Sequence, residues 1–330
     1  MGFGLLLLVA ASLFLWHALT KPYKGFSGER AQVEIRKGSN SRSIMKKLRV
    51  AGVLRDDFVP LLYMMAVRRG DSLKAGVYEF SGALSAADVM EKLIRGDVVL
   101  RSVTIREGLD RFAIGQLMAA EGFGKASEWR KLTSDAELVK DLDPRAESLE
   151  GYLFPDTYKL SPGTAPSAII KKMVENFRSH YGGELALITT GLDVHDTVTL
   201  ASIVETEAQL PAERPLVASV YLNRTRFNMP LQADPTVIYA MKLDNRWNGN
   251  IRREDLKRDS PYNTYARKGF PPGPIANPGL PSLRAAGAPA STSFLYFVSK
   301  NDGSHVFASS LAEHNRNVQQ YQKKFFQTGP

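Results

Sequence analysis

Val33-Glu34-Ile35-Arg36-Lys37-Gly38, followed by Ile44 and Gly52, is matched seventy positions later by Val103-Thr104-Ile105-Arg106-Glu107-Gly108, followed by Ile114 and Gly122. In the first copy Val33-Glu34-Ile35 alternates as a short strand, Lys37-Gly38 turns the chain, and Ser43 to Leu48 carries Ile44, Met45 and Leu48 at helical spacing. Both copies read as β-turn-α units. A single pair is too short for a solenoid, which needs about three repeats or more. Between them Gly76-Val77-Tyr78-Glu79-Phe80 is strand-like, and Ser85 is placed to cap a helix running to Ile94. Residues 31–100 are therefore expected to form a small α+β module, and residues 101–330 a larger, mixed but mainly helical domain.

In that second part the chain reads as largely helical through about Leu142. It is interrupted by the aromatic, turn-rich run Glu150-Gly151-Tyr152-Leu153-Phe154-Pro155-Asp156-Thr157-Tyr158. Periodicity predicts further helices at 165–180, 197–210 and 216–227. Pro261 to Pro281 is so rich in Pro, Gly, Asn and Tyr that a long shaped loop is expected there. The strand Phe294 to Val298, a turn at Gly303 and a helix from about Ser310 close the chain.

Towards the other end, Gly2 to Leu19 contains one His and otherwise only apolar or small residues. Its length approaches the ~20 residues needed to span hydrocarbon and exceeds a signal-peptide core of ~7 to 15. Residues 1–20 are expected as an uncleaved transmembrane anchor and 21–30, rich in Lys, Gly and Ser, as a tether. A small-residue cleavage site near Ala18 is the alternative. Lys21, Lys24 and Arg30 come after the apolar run and no basic residue precedes it, which opposes export of the C-terminal part. Long domains are nevertheless translocated largely regardless of charge.

The 330 residues are 44% hydrophobic and 23% charged, the composition of ordinary globular domains. The absence of cysteine excludes disulfides and a thiol nucleophile and suits an oxidising compartment. A formal charge of +9 fits nucleic acid, anionic lipid or an anionic wall polymer equally. The basic residues are spread along the chain, so no nucleic-acid partner is expected.

In the helix Thr199 to Gln209, Leu200, Ile203 and Val204 form an apolar stripe. Helical geometry sets Glu207 on that stripe and Glu205 roughly 200° away from it. A lone carboxyl on a buried face has its pKa raised by desolvation, as a general acid working near neutral pH requires. The competing reading is a Glu at a helix end that reaches solvent or pairs with Arg214. Beyond the break Pro211 to Pro215, Asn223 shares a helix side with Val220 and Phe227 and is a cleft candidate. Gln232 and Asp234 sit in a bend suited to sugar hydroxyls or an acetamido group, although Asp234 serves equally as a helix cap. Tyr262-Asn263-Thr264-Tyr265 and Gly269 to Pro274 combine flat rings, an amide and rigid backbone, as carbohydrate sites do, or form a plain structural loop. Glu150 and Arg214 complete the cleft candidates. His305 and His314 have no ligand partners at metal-site spacing, and hydrolase elbows, phosphate loops and dinucleotide fingerprints are absent. No metal or cofactor is expected.

The blocks Leu149 to Tyr158, Leu200-Ala201-Ser202-Ile203-Val204-Glu205, Leu231 to Tyr239 and Pro261-Tyr262-Asn263-Thr264-Tyr265 resemble the MltG (YceG-like) family of endolytic murein transglycosylases. The likeness runs over about residues 31 to 325. It implies a LysM-like module at 31–100 and a YceG-like catalytic domain at 101–330. The family's catalytic Glu is the second in its Ile-Val-Glu-x-Glu-Thr segment, which falls on Glu207, the position selected by the helical face. Ala208 stands where the family has Thr, so a hydrogen bond to the acid is either missing or supplied elsewhere. The implied reaction cuts the β-1,4 bond between N-acetylmuramic acid and N-acetylglucosamine and leaves 1,6-anhydro ends, limiting the length of nascent glycan strands. The implied setting is the inner membrane, single-pass, with the catalytic domain periplasmic. Peptidoglycan strands are the substrate, and synthases and division or elongation proteins the partners. A muramidase-type hydrolase with Asp234 or Glu205 as second carboxylate, and a non-catalytic glycan-binding scaffold, are the alternatives.

Overall fold

The computed structural model describes residues 2–68, 72–184 and 188–324. The fold is mixed α+β, mostly helical, with two-stranded sheets. It divides into two compact units: residues 1–102 with 159–164, and residues 103–158 with 165–330.

In the first unit α1 (Gly2–Thr20) precedes β1 (Arg30–Ile35), α2 (Ser41–Val50), α3 (Phe58–Ala66), β2 (Gly76–Ser81) and α4 (Ala86–Arg95). β1 and β2 pair antiparallel with Val33 opposite Tyr78. Because side chains alternate along a strand, Val33, Ile35, Tyr78 and Phe80 all turn inward. They meet Ile44, Met45 and Leu48 of α2 and Val89, Met90 and Leu93 of α4, the helical stripes legible in the sequence. Ser85 and Asp88 form a reciprocal capping box on α4, and Gly96 ends it in the left-handed conformation.

Residues 2–20 form one helix, but the side chains of residues 2–5, 7 and 8 lie outside the described set. Among the described residues no helix is long and apolar enough to cross a membrane. The segment expected as a tether is docked on its own unit. Tyr23 exchanges both backbone hydrogen bonds with Leu84, at 2.9 and 3.1 Å, and Gly25 donates to the Gly52 carbonyl at 2.8 Å.

The second unit reuses the first one's opening device. β3 (Arg101–Thr104), at the junction, leads into a turn at Gly108 and then α5 (Arg111–Ala120), capped by Asp110 on the Ala113 amide as Asn40 caps α2 on the Ser43 amide. Gly38 and Gly108, and Gly52 and Gly122, all have positive φ at matching positions. α6 (Ala126–Thr133), β4 (Thr157–Leu160) and α7 (Pro166–Glu184) come next, β3 and β4 forming a two-stranded sheet.

α8 (Val194–Glu207) is at the centre of this unit. From Thr197 to Val204 every residue is buried, and α9 (Arg214–Arg226), α10 (Asp234–Leu243) and α11 (Leu280–Gly287) pack around it. A helix apolar on all sides belongs inside a core. Ser282, Ala285, Ala286 and Gly287 keep α11 thin, so it packs close against α8. β5 (Tyr296–Ser299), β6 (His305–Ala308) and α12 (Leu311–Val318) complete the unit.

The Pro-rich segment is fixed by polar anchors rather than by regular structure. His195 presents Nδ1 to Asp143 at 2.7 Å and Nε2 to the Pro272 carbonyl at 2.8 Å. Asn277, fully buried, accepts from the Leu153 amide and donates to the Leu109 carbonyl and Glu150, each at 2.9 Å.

Candidate active site

Glu207 is the last residue of α8, where the helix leaves the core and the chain turns away at Ala208. It opens on a cleft of about 690 Å³ walled by Thr104 to Glu107, Pro155 to Thr157, Glu205 to Gln209 and Arg214. Behind it, Tyr221 of α9 brings its hydroxyl near enough to the carboxyl to favour its ionised form.

Burial and then the nearby Asp234 charge push the Glu207 carboxyl up, while the Tyr221 hydroxyl and Arg224 oppose them; the result is about 7, against an ordinary 4.5. Its position at a helix C-terminus, where the helix dipole is negative, works in the same direction. The group is therefore part-protonated at neutral pH: able to give a proton and, once ionised, to take one.

Glu205 lines the same cleft instead of facing away from it, because at the final turn both walls of the helix border the opening. It is Glu205, not Glu207, that pairs with Arg214, at 3.0 Å. Its second oxygen accepts from the Gly279 amide, also at 3.0 Å. Arg214 lies 3.8 Å from Glu107, whose carboxyl is raised by burial and by Glu205 and lowered by Arg214. This cluster brings cation and carboxylates to one wall of the cleft.

Asp234 begins α10 and makes no side-chain cap; it accepts from the Tyr265 hydroxyl at 2.6 Å. Asp234, Tyr265 and Arg224 lie near enough to Glu207 to couple electrostatically with it. Gln232 is exposed in a left-handed backbone conformation, φ 53°, and its amide donates to the Thr264 carbonyl at 3.1 Å.

The other candidates stand elsewhere. Glu150 is 2% exposed and accepts from the Arg111 amide at 3.0 and 3.1 Å and from Asn277; burial pushes it to about 8. Asn223 donates to the Thr292 and Phe294 carbonyls at 2.9 and 3.0 Å, and Asn263 to those of Asp255, Leu256 and Arg258. Tyr262 packs on Tyr239 with ring centroids 5.0 Å apart. These four hold loops and helix ends in place and do not line the cleft at Glu207.

Tyr221, Arg224, Glu107 and Gln209 were not singled out from sequence. Tyr221 and Arg224 are three apart and share a helix side, a signal available in principle. Only packing shows that this side faces Glu207. Among the described residues no group of three or more His, Asp or Glu is placed to hold a metal ion.

Comparison with known proteins gives a consistent result. The sequence pattern of the YceG-like family matches residues 33–320. An endolytic murein transglycosylase of Bacillus subtilis (strain 168) is 32% identical over 334 residues, covering 96% of this chain and 91% of that protein. One from Streptococcus pneumoniae (strain D39) is 31% identical over 91% of this chain, which spans 60% of the relative's length. The crystal structure of a YceG-like protein from Listeria monocytogenes superposes with a TM-score of 0.59 at 32% identity, over 88% of this chain and all of that one. A family pattern spanning most of the chain, relatives of this identity and a shared fold together place this chain in the YceG-like family.

Proposed function

We propose that this protein is a peptidoglycan lytic transglycosylase that cuts glycan strands internally, with Glu207 as its acid and base. The observation that carries the reading is a carboxyl held near pH 7 on the wall of a polar cleft. The names of the relatives support the substrate class.

In the reaction, protonated Glu207 gives its proton to the glycosidic oxygen that links N-acetylmuramic acid to the next sugar, and the bond from that oxygen to the anomeric carbon breaks. The same N-acetylmuramic acid's 6-hydroxyl attacks the anomeric carbon, and the Glu207 carboxylate takes the hydroxyl proton. A 1,6-anhydro end forms and the acid is regenerated. An intramolecular nucleophile has a high effective concentration, so no second carboxylate is needed to activate water. Both Glu205 oxygens are engaged and Asp234 is held by Tyr265, which fits a one-acid mechanism better than a hydrolase. Arg214, Glu205, Gln232, Asp234 and Tyr265 are the proposed glycan contacts. Glu150, Asn223, Tyr262 and Asn263 are assigned to positioning.

The proposed setting is the inner membrane, with α1 as a single-pass anchor, the LysM-like module at 31–100 holding glycan and the catalytic domain at 101–330 periplasmic. The apolar run Gly2 to Leu19 supports the anchor: 19 helical residues extend about 28 Å, close to the ~30 Å of a hydrocarbon core. Peptidoglycan synthases and division or elongation proteins are the proposed partners.

Mass spectrometry of products from purified peptidoglycan, with Glu207→Gln alongside, tests the reading. Anhydro-ended fragments from the parent and none from the variant are expected. Reducing ends would establish a hydrolase instead, and intact glycan that stays bound to both proteins would establish a scaffold.

A further inference from the structure

The first unit carries an apolar surface that its own fold leaves uncovered. On α3, Phe58, Leu62 and Met65 recur at i, i+4 and i+7, one helix side. Phe58 and Met65 are 69% and 65% exposed, and Val67 just beyond the helix is 66% exposed. Large apolar side chains concentrated in this way mark a surface meant to leave water.

Beside this stripe is a cavity of about 430 Å³. Phe14, Ala18, Phe58, Val59 and Pro60 supply apolar walls, and Lys21 and Arg55 supply charge. Arg55 lies 5.3 Å over the Tyr23 ring, and neither cation forms an ion pair among the described residues. Asp56, an acid of the same wall, spends an oxygen on the Phe58 and Val59 amides, at 3.0 and 2.8 Å, capping α3. The cavity thus joins apolar walls to two cations that have no carboxylate partner among the described residues.

The docked segment fixes where this surface lies. Only Lys21 and Pro22 separate the end of α1 from Tyr23, which is bonded to Leu84. Three steps of extended chain reach at most about 11 Å. A bilayer holding α1 therefore has the cavity at its headgroup layer, and α1 itself packs against α3 and α4.

We propose that the module at 31–100 lies on the membrane surface through a site for anionic phospholipid: Lys21 and Arg55 take the phosphate, and the acyl chains cover the α3 stripe. This rests on α1 being a membrane anchor, as proposed for the function. It makes the module a surface-seated domain instead of one on a free tether. An interfacial helix with apolar residues facing the lipid and basic residues beside the headgroups has the chemistry of such sites.

The chain has no cysteine, so one introduced thiol can be labelled uniquely. Met65→Cys, Val67→Cys and, on the exposed turn after β1, Ser39→Cys are each labelled with an environment-sensitive dye in the full-length protein. The proteins are placed in nanodiscs of phosphatidylcholine with or without phosphatidylglycerol, and headgroup-borne quencher lipid is added. In discs with phosphatidylglycerol the dyes at 65 and 67 should be quenched at least about threefold more than the dye at 39. Lys21→Gln/Arg55→Gln, checked for folding by circular dichroism, should bring them down to the level at 39, and soluble inorganic phosphate should leave them unchanged. Equal quenching at 39, 65 and 67 in anchored protein overturns the site while leaving the anchor intact. Indifference to the double substitution, or displacement by free phosphate, overturns it as well. A full chain that does not stay with discs of either composition overturns the anchored reading, and this proposal with it.

Discussion

Glu207→Gln should abolish most of the activity and yet stabilise the protein at alkaline pH. Holding the carboxyl at about 7 instead of 4.5 corresponds to about 3.4 kcal/mol, at about 1.36 kcal/mol per pH unit. Glu207 is part-exposed, and solvent screening brings this to about 2 kcal/mol. Between about pH 4.5 and 7 the folded chain binds the Glu207 proton more tightly than the unfolded chain does. Stability therefore falls as pH rises through that window, and the whole cost is present above it. A glutamine does not ionise and escapes the cost. Thermal melts of parent and variant should agree within about 1 °C near pH 4. Near pH 8.5 they should separate by about 4 to 8 °C in favour of the variant, taking about 2 to 4 °C per kcal/mol for a domain of this size. Turnover should fall by about 10²-fold or more, the usual worth of a general acid. A variant no more stable than the parent near pH 8.5, or a difference independent of pH, would refute the burial argument. Retained turnover would refute the assignment of the acid.

Other consequences can be measured separately. The rate on glycan strands should decline as pH rises through about 7, following loss of the Glu207 proton. Asp234→Asn removes a like charge and should move that limb to lower pH, whereas Tyr221→Phe removes a hydroxyl that favours the ionised form and should move it higher; pH profiles of kcat/KM read both. Arg214→Ala leaves Glu205, with a side chain only 5% exposed, without its cation, and should cost about 3 to 5 kcal/mol in urea unfolding, with Arg214→Lys milder. Asn277→Ala strands the buried Leu153 amide and the Leu109 carbonyl, and should cost about 3 kcal/mol by the same measurement.

Much of the local structure was legible because it is encoded locally. The cap at Ser85, the start of the last helix at Ser310, the inward stripe of α2 and the two β-turn-α units depend on residues within a few positions of one another. The helix ends were less legible. Periodicity predicts α8 from about 197 to 210 and it runs Val194–Glu207, so Glu207 closes the helix instead of lying one turn inside it. That is why Glu205 and Glu207 share a cleft despite facing apart on an ideal helix.

Side chains whose partners are distant in sequence divided unpredictably between the surroundings of the acid and the scaffold. Asn263 and Tyr265 are two residues apart in one Tyr- and Asn-rich segment. The first turns inward to loop carbonyls, and the second reaches Asp234 next to the acid. Asn223 and Arg224 are neighbours on α9, and it is Arg224 whose charge acts on Glu207 while its guanidinium holds the Leu295 and Leu231 carbonyls. By itself the sequence determined that Glu207 is in register with Leu200, Ile203 and Val204 on its helix, because periodicity records which residues share a helix side. Tertiary structure decided what lies opposite that face: Tyr221, Arg224, Asp234 and Tyr265. The energy that sets a proton affinity comes from desolvation and from charges brought close by packing, and neither is a property of neighbouring positions in the chain.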